Sequence, residues 1–218
     1  MRLIYTLALA LPLTALLAQE NPKDASKDTA KKPEAAAPQK NVSVEGSVTI
    51  NGVAIPYTAT TGKLVINRDD GTPRASIFHV SYVRKDKNDP NRPVTFAFNG
   101  GPGSSAVWLH LGALGPKIVK LTGDGTQPIA PPATLGDNQF SILDSSDLVF
   151  IDPVSTGYSR AEKDAKPQEF HGVDEDVESI GDFIRSWVTE NKRWSSPKFL
   201  LGESYGGVRA AGQDGPRR

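Results

Sequence analysis

The 218-residue sequence contains no cysteine. That one absence removes a disulfide framework, a thiolate zinc site, an iron–sulfur cluster and a cysteine nucleophile. Only three histidines are present, which leaves little room for a metal centre. Charge of neither sign is in excess, since 25 Lys+Arg oppose 25 Asp+Glu. A nucleic-acid binder needs a basic face to replace counterions, so nucleic acid is not an expected partner. Long apolar runs are missing as well: none reaches the roughly 20 residues of a membrane span. What remains is hydroxyl or carboxylate chemistry with no cofactor called for. Twenty Gly and 17 Pro over 38% apolar residues suit a loop-rich α/β or β domain. At about 150 residues per domain, the length allows one domain, two at most.

The first 41 residues read as targeting and tether. Arg2 gives a positive start, and Leu3 to Leu17 is apolar apart from Tyr5, Thr6, Pro12 and Thr14. Ala18 offers a small residue for cleavage, so residues 1–18 are expected to be a secretory signal. Between Glu20 and Lys40 there is no aliphatic larger than alanine and no aromatic. Such a stretch cannot bury enough surface to offset its ordering entropy, and residues 19–41 are expected to be a disordered tether. The folded part is then 42–218, in a secreted or periplasmic protein with no membrane attachment after cleavage.

Past the tether, Val44 to Ile50 and Val53 to Thr58 flank Asn51-Gly52, a hairpin signal because both turn positions need positive φ. A second hairpin is expected from Lys63–Asn67 and Ala75–Val83 around Arg68-Asp69-Asp70-Gly71. In its last strand Phe78, Val80 and Tyr82 share one face and Ile77, His79 and Ser81 the other, which places His79 at the surface. Pro93–Phe98, Leu148–Ile151 and Lys198–Leu201 read as buried strands. Val173, Val177, Ile180, Ile184, Trp187 and Val188 fall at helical spacing, with acids expected on the opposite face. A β-rich antiparallel start passing into a strand–helix–strand unit predicts an α/β domain with a largely parallel sheet.

Gly202-Glu203-Ser204-Tyr205-Gly206 fits the nucleophile elbow G-x-S-x-G, here between a strand and residues able to start a helix. Glycines on both flanks let the backbone crowd the turn so that the Ser204 hydroxyl projects free. The helix start behind it offers backbone N–H groups to a developing oxyanion. A second constellation, Asn99-Gly100-Gly101-Pro102-Gly103-Ser104-Ser105, directly follows the strand ending at Phe98. Its backbone amides can approach a ligand closely, and it lacks the lysine of a phosphate-binding P-loop.

These two motifs, together with Asp152-Pro153-Val154-Ser155-Thr156-Gly157-Tyr158-Ser159 between them, resemble in order and rough spacing the serine carboxypeptidases. The resemblance runs from about Val94 to Ala211. It implies an α/β-hydrolase fold, here its N-terminal portion, and an enzyme that releases C-terminal residues from peptides through an acyl-enzyme. It implies Ser204 as nucleophile and the N–H groups of Gly101 and Tyr205 as oxyanion hole. Asn99, Gly100 and Glu203 would bind the substrate's terminal carboxylate, Glu203 donating when protonated, so that binding favours acid pH. The cysteine-free sequence and the Val44–Tyr82 entry look like secreted bacterial members.

Several positions depart from the pattern. Phe98 stands where tryptophan is usual, Ser104 where cysteine is frequent, and Ala113 where a supporting glutamate is often found. In the middle motif Ile151-Asp152 stands for the common Asp-Gln and Ser155 for glycine. In an α/β-hydrolase the triad runs Ser, Asp, His along the chain. Only 14 residues follow Ser204, with Asp214 but no histidine among them. His110 is expected near the cleft and His171 at the surface, neither in the position of the base. The expectation is a chain truncated before the triad Asp and His and therefore inactive. Another hydrolase or acyltransferase on the same fold, such as an esterase, and an inactive scaffold remain as alternatives. Residue preference at the cleaved position and oligomeric state are not legible.

Overall fold

The computed structural model describes residues 41–87, 89–121, 131–132 and 134–213. The expected signal, all of the tether but Asn41, and Asp214 lie outside them. Three long strands open the fold: β1 (Val42–Ile50), β2 (Val53–Asn67) and β3 (Pro73–Arg84). Asn51 (φ 50°) and Gly52 (φ 78°) turn β1 into β2 with the left-handed pair expected of an Asn-Gly hairpin. The two hairpins read from sequence share one strand. β2 runs unbroken for 15 residues, pairing β1 through Thr61 and β3 through Tyr57. Thr60 and Thr61, between the two runs read from sequence, are laddered on both sides, and β-branched threonines suit that position.

The chain continues through β4 (Val94–Phe98), a short helix α1 (Val107–Leu109) prolonged by a π turn over His110–Leu114, and the small pair β5 (Lys117–Val119) and β6 (Leu135–Asp137). Then come β7 (Asp147–Ile151), β8 (Arg160–Ala161), α2 (Val173–Glu190), β9 (Lys198–Gly202) and α3 (Gly206–Gly212). The main sheet has the order β1-β2-β3-β7-β4-β9, with β8 paired to β3. β1, β2, β3 and β7 pair antiparallel in succession, whereas β4 is parallel to both β7 and β9.

Alternation along β4 and β7 divides the core in two. Val94, Phe96, Phe98, Val149 and Ile151 face α2, where they meet Ile180, Phe183 and Trp187. Ala97, Leu148 and Phe150 face the other way, onto Leu109, Leu143 and Tyr82. Ile180, Phe183 and Trp187 are all but fully buried, each worth about 1.5–3 kcal/mol of transfer free energy. Among the described residues β9 pairs with β4 alone, so it is an edge rather than a buried strand, and Phe199 is 55% exposed.

Both faces of β3 are covered, and His79 is therefore buried rather than at the surface. Its ring meets Phe183 edge-on at 5.3 Å, and burial pushes its pKa down to about 4. The acids of α2 also fail to keep to one side. Asp176 is buried, because it stands four and seven positions before Ile180 and Phe183 on the inward stripe.

Candidate active site

The site forms at the carboxyl ends of β4 and β9, neighbours in parallel register with Phe98 opposite Gly202. Crevices outside the carboxyl ends of parallel strands are the usual ligand sites of open α/β sheets. After Gly202 the chain reverses over Ser204, whose φ of 57° is a conformation that non-glycine residues seldom adopt. The turn is held by Gly206 N–H donating to Glu203 O (2.8 Å) and Gly207 N–H to Ser204 O (2.9 Å), after which α3 begins. Backbone packs directly on backbone here. A Cβ on Gly202 would overlap the Gly206 carbonyl, and one on Gly206 would come within 2.6 Å of Phe98 O. Ser204 and Glu203 are left exposed at the apex.

The glycine loop after β4 lies against this elbow. A Cβ on Gly100 would overlap the Tyr205 amide nitrogen and sit 2.7 Å from Glu203 O. Gly101 (φ 105°) follows in the left-handed region. Among the described residues, neither the Gly101 nor the Tyr205 N–H donates a hydrogen bond. Asn99 is buried; its Nδ2 donates to Glu203 Oε2 at 3.1 Å and its Oδ1 accepts from Leu109 N–H at 3.1 Å. The six residues singled out from sequence (Asn99, Gly100, Gly101, Glu203, Ser204, Tyr205) thus meet in one place.

Three polar side chains beyond these six candidates hold this arrangement. Arg209 on α3 is 1% exposed and reaches in three directions. Its Nε donates to Asp176 Oδ2 of α2 (2.7 Å), Nη1 to Asn99 O, and Nη2 to Pro102 O (3.0 Å). Its guanidinium also lies 5.0 Å from the Tyr205 ring centroid. One cation therefore ties the helix behind the elbow to the start and the middle of the glycine loop. Burial holds the Asp176 carboxyl above its ordinary range, with Arg209 pulling it back. Asp152, also raised by burial, accepts from Ala106 N–H (2.9 Å) and Tyr158 N–H (3.4 Å), which fixes the far end of the loop. Asp176 had a signal in the sequence, a carboxylate at the spacing of the apolar stripe, and Asp152 opens the Asp152–Ser159 motif; Arg209 had none.

The histidines are engaged elsewhere. His110 turns into the second core, its Nε2 2.6 Å from Tyr82 Oη and its ring stacked on Phe150, and burial lowers its pKa to about 4. His171 is exposed, as expected, with Nε2 3.1 Å from Ser155 Oγ. No histidine is bonded to Ser204. Among the described residues, no group of three or more His, Asp or Glu is placed to hold a metal ion. None of the described helices is long and apolar enough to cross a membrane.

A family model described as serine carboxypeptidase matches residues 61–211. Serine carboxypeptidase-like 5 of Arabidopsis thaliana is 28% identical over 160 residues, covering 71% of this chain and 34% of that protein. Serine carboxypeptidase-like 2 of the same plant is 28% identical over 159 residues, with coverage of 71% and 33%. Serine carboxypeptidase-like 19 is 28% identical over 160 residues, with coverage of 70% and 31%. The chain spans about a third of the length of the curated relatives it matches. The mixed sheet is that of a partial α/β-hydrolase fold, the fold of this family.

Proposed function

The chain belongs to the serine carboxypeptidase family, and from that membership we propose that it seats a peptide by its free C-terminal carboxylate and presents the scissile carbonyl to Ser204. Asn99, with Glu203 when protonated, donates to the two carboxylate oxygens, and Gly100 lets the peptide approach. Ser204 Oγ attacks the carbonyl carbon, the scissile C–N bond breaks as the amine departs with the hydroxyl proton, and water then hydrolyses the acyl-enzyme, releasing the acid and restoring Ser204. The N–H groups of Gly101 and Tyr205 receive the oxyanion. The observation that carries the reading is the Asn99–Glu203 hydrogen bond at 3.1 Å beside an elbow whose neighbouring amides donate to no protein group among the described residues.

With these residues alone the account covers seating and oxyanion stabilisation. Each histidine is bonded or packed elsewhere, and without a base the Ser204 hydroxyl stays protonated and weakly nucleophilic. Export to a secreted or periplasmic location is part of the same proposal and rests on the Arg2-to-Ala18 pattern. An exported product still carrying residues 1–18, seen by intact mass, would remove it.

The seating is tested on the full chain carrying Ser204→Ala, so that no turnover interferes. Calorimetric titration with one peptide, C-terminally free or amidated, is expected to favour the free form by about tenfold or more, as hydrogen bonds to a charged group should. Equal affinity for the two forms, or none for either, refutes carboxylate recognition.

A further inference from the structure

Two serines in the described chain are held at positive φ: Ser204 at 57° and Ser155 at 70°. The first has a glycine cradle and no imidazole, whereas the second has an imidazole. Ser155 Oγ lies 3.1 Å from His171 Nε2, within reach for proton transfer, and both side chains are exposed. They share the wall of a cavity of about 390 Å³ with Pro102, Val154 and Phe170. Gly103, from the loop that serves Ser204, lies in the same wall, and its N–H donates no hydrogen bond among the described residues. Asp176 and Arg209 also line the cavity but are bound to each other.

We propose that Ser155 and His171 form a second nucleophilic site, independent of Ser204, that accepts small uncharged acyl esters. The apolar lining suits an uncharged acyl group, since the two charged residues present neutralise each other. His171 Nε2 takes the Ser155 proton as Oγ forms a bond to the ester carbonyl carbon. The Gly103 N–H stands where it can support the developing oxyanion. As the tetrahedral species collapses, the bond from that carbon to the alkoxy oxygen breaks and His171 returns the proton to the departing alcohol. Water, deprotonated by the same imidazole, then releases the acid and restores Ser155.

The test uses the full chain and a fluorophosphonate probe, with the adduct located by peptide mass mapping. An adduct on Ser155 is expected, persisting in Ser204→Ala and forming about a hundredfold more slowly in His171→Gln. Among the described residues the Ser155 and His171 side chains hydrogen-bond only to each other, and both are exposed, so neither substitution touches the core. An adduct confined to Ser204, no adduct on either serine, or a Ser155 rate unchanged in His171→Gln would each overturn the proposal. Carboxylate-dependent peptide binding is read separately and does not move with this result.

Discussion

The two ends of the parallel strands both bury arginine against aspartate, to different effect. At the amino ends Asp147 opens β7 and accepts from Arg92 Nε (2.9 Å), Arg193 Nη1 (2.6 Å) and the Arg84 N–H (3.0 Å). Arg92 and Arg193 precede β4 and β9, so one carboxylate pins the starts of all three strands. The surplus guanidinium donors go to the carbonyls of Leu143, Asp144 and Arg92 itself. At the carboxyl ends the ratio is one to one, and Arg209 gives its remaining donors to Asn99 O and Pro102 O. The first cluster locks strands to strands. The second shapes a loop, leaving Ser204 and Glu203 exposed above it. The same chemical pair serves rigidity at one end and presentation at the other.

The largest effect should come from breaking the first cluster. Asp147→Ala leaves two buried cations without their anion and is expected to cost about 3–5 kcal/mol in urea unfolding. A loss under about 1 kcal/mol would mean that the cluster is not what joins the strands. The second pair can be dissected more finely. Arg209→Met alone strands Asp176 and should cost about 3 kcal/mol, whereas adding Asp176→Leu should recover most of it, because apolar replacement of a buried pair is often neutral. Peptide binding should stay lost in the double variant, since nothing then holds the Asn99 and Pro102 carbonyls. Recovery of both properties would erase the distinction between the two ends.

Acid tests the sheet between those ends. His79 and His110 stay neutral in the fold down to about pH 4, while an unfolded imidazole protonates near pH 6.5. The unfolded state therefore takes up protons first, and stability present above about pH 6.5 is lost as pH falls towards about 4. The ceiling is about 3 kcal/mol per histidine. Melting temperature should drop across that window, and less steeply in His79→Leu. The smallest effect is expected at the first hairpin, remote from both clusters. A Cβ on Gly52 meets nothing within 4 Å, so Gly52→Ala should cost only the left-handed strain, about 1 kcal/mol.

How much of this the sequence disclosed follows from the range of the forces involved. Asn51-Gly52, the α2 periodicity and the elbow are local patterns, and each stands where its spacing placed it. The contact between Gly100 and Tyr205 is between residues far apart in sequence, and only the resemblance to the serine carboxypeptidases brought the two motifs together; the structure places them at the ends of adjacent strands. Arg209 was not legible, since its partners at positions 99, 102 and 176 lie on two separate elements, the glycine loop and α2, and leave no mark at any fixed offset. His79 misled for a related reason. A polar residue on an alternating strand reads as outward only while the sheet is covered on one side, and α2 covers this one.

The elbow's glycines also decide what random mutagenesis can reach. At positions 100, 202 and 206 there is no side-chain volume to vary, because even a methyl group enters backbone atoms. Ser204 and Glu203, on the exposed apex, carry no comparable steric restriction. A library sorted for folding alone should therefore purge substitutions at the three glycines while the serine and glutamate drift. On the proposed function, codons at 203 and 204 would stay fixed only under selection for activity. The two sorting schemes, run on one library, would separate the architecture of the turn from its chemistry.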